Sequence, residues 1–174
     1  MGIEVKYVRI DLENIARLTS HPFGLDIKDF DEYIAFSDDL VCSDYYLNIG
    51  KDWQAIHFLL TGEAARDRTN TSPPLSNVVL GGTETEYQTD YGKVRYLKPN
   101  EVKEVVEALE QITLNDLRSH FSPEAFNAAR IYPNPQPGGW TIEELESLLT
   151  TYVLLVEFFK EAAKQNNFIF ISPG

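Results

Sequence analysis

The chain has 174 residues, of which 43% are hydrophobic and 12% aromatic, and its formal net charge at pH 7 is −12. This length fits one domain with a hydrophobic core, and the composition excludes an intrinsically disordered protein. The negative charge argues against nucleic acids and anionic membranes as partners, because phosphate binding depends on clustered lysines and arginines. We therefore expect a single domain over residues 1–174.

The sequence indicates a cytoplasmic protein. No segment approaches the roughly 18 uninterrupted apolar residues of a membrane span. Glu4 and Asp11 lie where a signal peptide would be apolar. The single cysteine, Cys42, has no second cysteine for a disulfide or a metal site, which fits a reducing compartment.

The predicted elements begin with a strand in IEVKYVRI, where β-branched residues dominate. A short helix over LENIARLTS should follow, and residues 25–50 then form an acidic segment. Seven acids and one lysine give this segment a charge of −6, half of the total. Aromatic residues are interleaved with the acids, which suits a short helix or loop on the body of the protein. DYYLNI, at its end, is a weak strand candidate.

The middle of the chain alternates apolar and polar segments. DWQAIHFLLTG has helical periodicity, residues 63–77 form a loop, and LSNVVLGG returns to the core. Residues 83–90 are a polar run. YGKVRYL then has the alternation of a half-exposed strand, with Arg95 on the opposite face from Val94 and Tyr96.

Helices dominate the last third of the chain. Pro99 and the pair Ser122–Pro123 each begin a predicted helix. Thr141 and Glu144 form a capping box for a long helix near residues 141–165, and FIFIS is the final strand. The core residues predicted for the long helix are Ile142, Leu145, Leu148, Leu149, Tyr152, Leu155, Val156, Phe159 and Ala163.

These elements predict an α+β fold with a small mixed sheet. Its strands come from the start, the middle and the C-terminal end of the chain, and several helices cover it. The segment IYPNPQPGGW, residues 131–140, is either a rigid connection with anchoring aromatics or an exposed aromatic recognition loop.

Four segments resemble, in this order, the pattern of the YfbM-like family: KDWQAIHFLLTG, PLSNVVLGG, YGKVRYLKPNEV and FSPEAFNAARIYP. The similarity spans most of residues 1–172. Since this is a bacterial family of unknown function built as a single α+β domain, the resemblance implies a fold and no activity. Family members commonly have threonine or a similar cap before the proline of LKPNEV, where this chain has Lys98.

His57 is the main candidate for chemistry. On a helix with about 100° per residue it lies at the margin of the apolar arc, beside Trp53, Gln54 and Thr61. A structural histidine, the wall of a ligand pocket and a general base all remain open. Nearby arginines, Arg66 and Arg95, would bind an anion bidentately, or they neutralise an acidic surface.

Familiar catalytic patterns are missing from the sequence. The double glycine of VLGG lacks the spacing and the lysine of a phosphate-binding loop. The three histidines share no metal-ligand spacing, and the acids of residues 26–31 lack the glycine and closing glutamate of a calcium loop. We therefore expect no cofactor and no metal, and we assign no catalytic residue.

The favoured hypothesis is a non-catalytic binding protein whose acidic, aromatic-rich surface over residues 25–50 meets a basic protein partner. The residues assigned to this contact are Asp29, Asp31, Tyr33, Asp38 and Asp39.

The alternative hypothesis is a small-molecule-binding domain or an undescribed enzyme. Its pocket would lie at Trp53 and His57, with Arg66 or Arg95 as the anion-binding residue. A structural subunit that self-associates is a third possibility, and we expect a monomer or a weak homo-oligomer.

Overall fold

The structure is a computed structural model that describes residues 2–11, 44–64, 72–135 and 137–174. Within these residues one sheet contains β1 (Val5–Ile10), β2 (Tyr46–Asn48), β3 (Thr83–Thr89), β4 (Gly92–Leu97) and β5 (Phe168–Pro173). The strand order is β2-β1-β5-β4-β3, and every neighbouring pair is antiparallel.

The described helices are α1 (Trp53–Thr61), α2 (Pro99–Glu110), α3 (Leu114–His120), α4 (Pro123–Ala128) and α5 (Leu145–Lys164). Short 3-10 helices occupy Gly50–Asp52, Leu75–Val78 and Ile142–Glu144. None of the helices in the described ranges is both long enough and apolar enough to cross a membrane.

The predicted α+β class and the long helix near the C-terminus are confirmed. The expectation of a mixed sheet is wrong for the described strands, because β5 runs antiparallel to both of its neighbours, β1 and β4. Four helices connect β4 to β5. A connection of that length returns the chain in either direction, so the sequence pattern does not determine the direction of β5.

The two faces of the sheet contribute to different apolar clusters, because successive side chains of a strand point to opposite faces. Tyr7 faces the helices and packs edge-on against Phe158 and Phe159 of α5, with ring centroids 6.2 and 6.1 Å apart. Val8 and Phe170 belong to a smaller cluster on the other face. The main core therefore lies between the sheet and the helices.

The capping box before α5 is confirmed. The Thr141 N–H donates to Glu144 Oε2 at 2.7 Å, and the Glu143 N–H donates to Thr141 Oγ1 at 3.2 Å. Ile142, predicted in the core, is instead 64% exposed, because it lies in a 3-10 turn rather than on the α-helical stripe. The predicted core residues that are buried are Leu145, Leu148, Leu149, Tyr152, Leu155 and Phe159.

The sequence interpretation missed two elements. β3 lies in the predicted polar run, because an edge strand keeps most of its side chains in solvent and lacks a clear apolar period. The other is α3, which begins at a second capping box. There the Thr113 N–H donates to Asp116 Oδ2 at 2.8 Å and the Asp116 N–H donates to Thr113 Oγ1 at 3.1 Å. That pair of residues is a recognisable signal in the sequence.

Replacing Thr141 tests the capping box. Thr141→Ala removes the acceptor of the Glu143 N–H, and we expect the free energy of unfolding to fall by about 1 kcal/mol. Urea unfolding followed by circular dichroism measures this change. Thr141→Ser, which keeps the hydroxyl, is the control; equal stability of the alanine and serine variants would contradict the assignment.

Candidate functional site

Four polar side chains are buried where β1, β4, α1 and the turn Leu75–Val78 meet. Tyr7, His57 and Ser76 are fully buried, and Arg95 is 4% exposed. This is the region that contains two of the residues predicted for a ligand pocket. The question is whether these groups are available for chemistry or are used by the protein itself.

Tyr7 and Arg95 bind the backbone of the segment that follows the Leu75–Val78 turn. The Tyr7 hydroxyl donates to the Val78 carbonyl at 2.8 Å. The Arg95 guanidinium donates to the carbonyls of Val79 and Leu80. Because buried carbonyls need hydrogen-bond partners, these two side chains attach the segment to the sheet.

Arg95 was predicted on the opposite face of its strand from Val94 and Tyr96, in a strand expected to be half-exposed, but the structure buries it to 4% exposure. Its side chain lies on the same face as Leu97, and residues 75–80 cover that face. The sequence could not reveal this cover, because strand alternation separates two faces without showing which one is buried. Its proposed anion-binding role stays a prediction, and two of its nitrogens already donate to protein carbonyls.

The predicted position of His57 at the margin of the apolar arc is also wrong, since the residue is fully buried. Gln54, expected on the polar edge beside it, is buried too and bridges two loops. It donates to the Ala64 carbonyl at 2.5 Å and accepts from the Tyr132 N–H at 2.7 Å. The buried surface of α1 is therefore wider than the apolar arc predicted from the sequence.

The His57 ring has no hydrogen-bond partner for either nitrogen within the described residues. Burial lowers the pKa of His57, nearby Glu63 raises it, and the positive charge of Arg95 lowers it. The ring is therefore neutral at pH 7. A neutral, enclosed imidazole of this kind has the position of a core residue.

Trp53 contacts Ile3 and Tyr132. Its indole N–H donates to the Ile3 carbonyl at 3.2 Å, and its ring lies 6.0 Å from that of Tyr132. Neither Trp53 nor His57 lines any of three cavities found in the described part of the chain. Arg66 lies outside the described residues, so the structure does not bring the four predicted pocket residues together.

The residues predicted to bind a partner also lie outside the described ranges: Asp29, Asp31, Tyr33, Asp38 and Asp39. The described end of the acidic segment starts at Asp44. It borders a groove of about 540 Å³ between β2 and α5. The residues lining this groove are Arg9, Asp44, Tyr46, Leu47, Leu154, Glu157, Phe158 and Glu161.

Arg9 forms the fixed inner end of this β2–α5 groove. It is 5% exposed, and it donates to the Asp44 carbonyl at 2.9 Å and to Asn167 Oδ1 at 3.0 Å. Its guanidinium also lies 4.3 Å from the centre of the Tyr45 ring. These contacts attach the first residues of the β2 segment to β1 and to the turn before β5.

The contribution of α5 to the groove was missed in the sequence. Leu154, Glu157 and Glu161 are spaced three and four residues apart and so share one face of the helix. The apolar periodicity of the segment predicts only which face of α5 packs against the core. The spacing of these three residues in the sequence predicts that they share one helix face, which is acidic and carries a leucine.

A second cavity, of about 550 Å³, lies in the connection that follows α4. Its lining residues are Asn127, Arg130, Tyr132, Asn134, Gly138 and Gly139. Trp140 at the end of this connection is 4% exposed and donates its indole N–H to the Ile131 carbonyl at 2.8 Å. The aromatic residues therefore anchor the connection, which favours the rigid interpretation over an exposed aromatic recognition loop.

A smaller cavity of about 250 Å³ lies among α2, α3 and α5. It is lined mainly by apolar residues, among them Leu109, Leu114 and Val153. Within the described ranges, no group of three or more histidine, cysteine, aspartate or glutamate side chains could hold a metal ion.

Comparisons with known proteins agree with this fold. A family model described as a domain of unknown function, DUF1877, matches residues 1–172. Protein YfbM of Escherichia coli strain K12 is 32% identical over 126 residues, which covers 70% of this chain and 72% of that protein. The crystal structure of YfbM, a protein of unknown function from Escherichia coli, matches with a TM-score of 0.70. That match covers 98% of this chain and 99% of the other at 24% identity, which shows the fold alone.

The pKa of His57 makes a prediction for stability. Because its pKa in the folded protein is lowered from 6.5, the unfolded chain binds the proton first as the pH falls. The stabilising contribution is thus complete above about pH 6.5 and is lost as the pH falls through the folded pKa. We expect the urea midpoint of the wild type to decrease between about pH 7.5 and about pH 5.

His57→Leu should remove part of this decrease, because leucine has no proton to bind. His120→Gln, at an exposed histidine, is the matched control and should leave the decrease unchanged. If the urea midpoints of the leucine variant and the wild type fall in parallel over this pH range, the burial of a neutral His57 does not cause the loss of stability.

Proposed function

The chain belongs to the DUF1877 family, a family of domains of unknown function, and from its own surface we propose a non-catalytic binding protein. The β2–α5 groove accepts a basic segment of a protein partner. The single observation that supports this proposal is the groove itself, in which carboxylates and apolar side chains lie side by side. A partner segment with arginine or lysine next to an apolar residue matches that arrangement.

The charge of the groove favours a cation over an anion. Three acidic residues, Asp44, Glu157 and Glu161, line it together with one cation, Arg9, in a chain with a net charge of −12. Glu157 and Glu161 contact Lys160 and Lys164 at 4.0 and 3.9 Å, but all four side chains are substantially exposed. Exposed pairs of this kind contribute little to stability, so a partner's guanidinium can replace them at small cost.

The groove also offers apolar contact. Leu154 is 55% exposed, and Tyr46, Leu47 and Phe158 lie next to it in the lining. Burial of apolar surface gives affinity, whereas the surrounding carboxylates give orientation and faster association. Arg9 already packs on Tyr45 within the chain, which illustrates how this surface accommodates a guanidinium against an aromatic ring.

The rest of the proposed surface is Asp29, Asp31, Tyr33, Asp38 and Asp39, outside the described residues. Their contribution, a cytoplasmic location, and a monomeric or weakly oligomeric state remain parts of the proposal. We favour this function over a pocket at Trp53 and His57, because His57 is enclosed in the core and lines none of the described cavities.

Binding of a synthetic peptide that alternates arginine and leucine tests the proposal. We expect Glu157→Gln with Glu161→Gln to weaken binding about tenfold, because two groove carboxylates are lost. The salt dependence of binding should decrease in the same variant. Fluorescence anisotropy of the labelled peptide measures both effects at two ionic strengths.

The matched control changes the same charge elsewhere, through Glu104→Gln with Glu107→Gln on the exposed face of α2. A second pair compares Leu154→Ser in the groove with Val153→Ser, an exposed residue that does not line it. If the groove variants and their controls bind the peptide equally, the proposed function fails.

A further inference from the structure

We propose that the cavity after α4 is a binding site for a small oxyanion, the carboxylate or phosphate group of a small molecule, with Arg130 as its main ligand. This site is independent of the β2–α5 groove, with which it shares no lining residue. Its lining residues are Asn127, Arg130, Tyr132, Asn134, Gly138 and Gly139.

The charge around Arg130 supports an anion. Arg130 is exposed and makes no ion pair within the described residues. Among the described residues, no aspartate or glutamate lines its cavity, whereas the groove and the apolar cavity each include glutamates. Although the chain has a net charge of −12, the part of it that the structure describes places Arg130 at this cavity with no carboxylate in the lining.

The backbone around the cavity is fixed in an uncommon conformation. Arg130 and Asn134 have φ of 53° and 52°, and Gly138 and Gly139 have φ of 96° and 87°. Left-handed conformations cost non-glycine residues about 1 kcal/mol each. Backbone hydrogen bonds maintain them: Arg130 N–H donates to Asn127 O at 3.1 Å, and Asn134 N–H to Ile131 O at 3.0 Å.

Two further contacts keep the walls in place. Asn127 uses both ends of its amide on the backbone of Trp140, at 2.9 and 2.8 Å. A Cβ at Gly139 would lie 2.3 Å from Asn127 Oδ1, so the chain passes close to this amide only because residue 139 is glycine. On the opposite side Gln54 accepts from the Tyr132 N–H. The cavity is thus preformed, which lowers the ordering cost of binding.

The chemistry of the lining selects the ligand class. A guanidinium presents two parallel N–H groups that match the two oxygens of a carboxylate or phosphate. Asn127 and Asn134, which line the cavity beside Arg130, add polar amide side chains to the wall. A volume of about 550 Å³ suits a small molecule rather than a polymer.

Tryptophan fluorescence offers a direct readout. The chain has two tryptophans, and both contact the walls of the cavity: Trp53 lies against Tyr132, and Trp140 is bonded to Asn127. Titration with inorganic phosphate and with acetate should change the emission saturably, whereas sodium chloride at the same ionic strength should not. Saturation with phosphate alone identifies a phosphate site, and saturation with acetate alone identifies a carboxylate site. Saturation with both identifies a site that accepts either oxyanion.

Arg130→Asn removes the guanidinium and keeps a residue that tolerates the left-handed conformation. We expect its affinity for the anion to be at least about tenfold lower than that of the wild type. Arg130→Gly provides a second variant with the same tolerance, and circular dichroism checks that each is folded. Arg118→Asn, at an exposed arginine paired with Glu146, is the matched control and should bind normally.

Two results would overturn the proposal. One is the absence of saturable change with both phosphate and acetate in the wild type. The other is equal affinity of the folded Arg130 and Arg118 variants, because Arg130 would then contribute no more than any surface cation.

Discussion

The proposed binding surface depends on the hydrogen bonds of a buried arginine, Arg9. A guanidinium removed from water must find hydrogen-bond partners, because an unsatisfied buried charge costs several kcal/mol. Arg9 finds them in the Asp44 carbonyl and the Asn167 amide oxygen, with the ring of Tyr45 beside it. One side chain from β1 thereby fixes the beginning of β2 and the turn before β5. The groove between β2 and α5 is a consequence of that arrangement.

The same principle operates on the helical side of the sheet, where Tyr7 and Arg95 satisfy three successive carbonyls after the Leu75–Val78 turn. Each of these carbonyls would otherwise cost about 1–3 kcal/mol if left buried without a donor. The Leu75–Val78 turn contacts α1, the helix on which His57 is buried. Gln54 then links α1 to the connection after α4 through Tyr132, so the Arg130 cavity rests on a continuous series of contacts that begins at the sheet.

Local signals predicted the elements whose ends and faces are set by nearby residues. The Thr141–Glu144 box and the apolar period predicted the capped start of the helical segment and the core face of α5 from Leu145 onward, but not the 3-10 turn that exposes Ile142. Non-local packing was beyond such signals. Arg95 became buried through a segment fifteen residues earlier in the chain, and His57 through neighbours on several elements. The groove could not be predicted either, because it depends on a contact between Arg9 and Asn167, which are 158 residues apart in the sequence.

The central functional claim is that a basic partner segment occupies the β2–α5 groove. Chemical-shift mapping tests it most directly, with the ¹⁵N-labelled chain titrated by the arginine–leucine peptide. We expect the largest amide shifts to cluster at Tyr46, Leu47, Leu154 and Glu161, which line the groove and not the apolar cavity. Shifts that instead cluster at Leu114 and around the apolar cavity, or that are absent at saturating peptide, would contradict it.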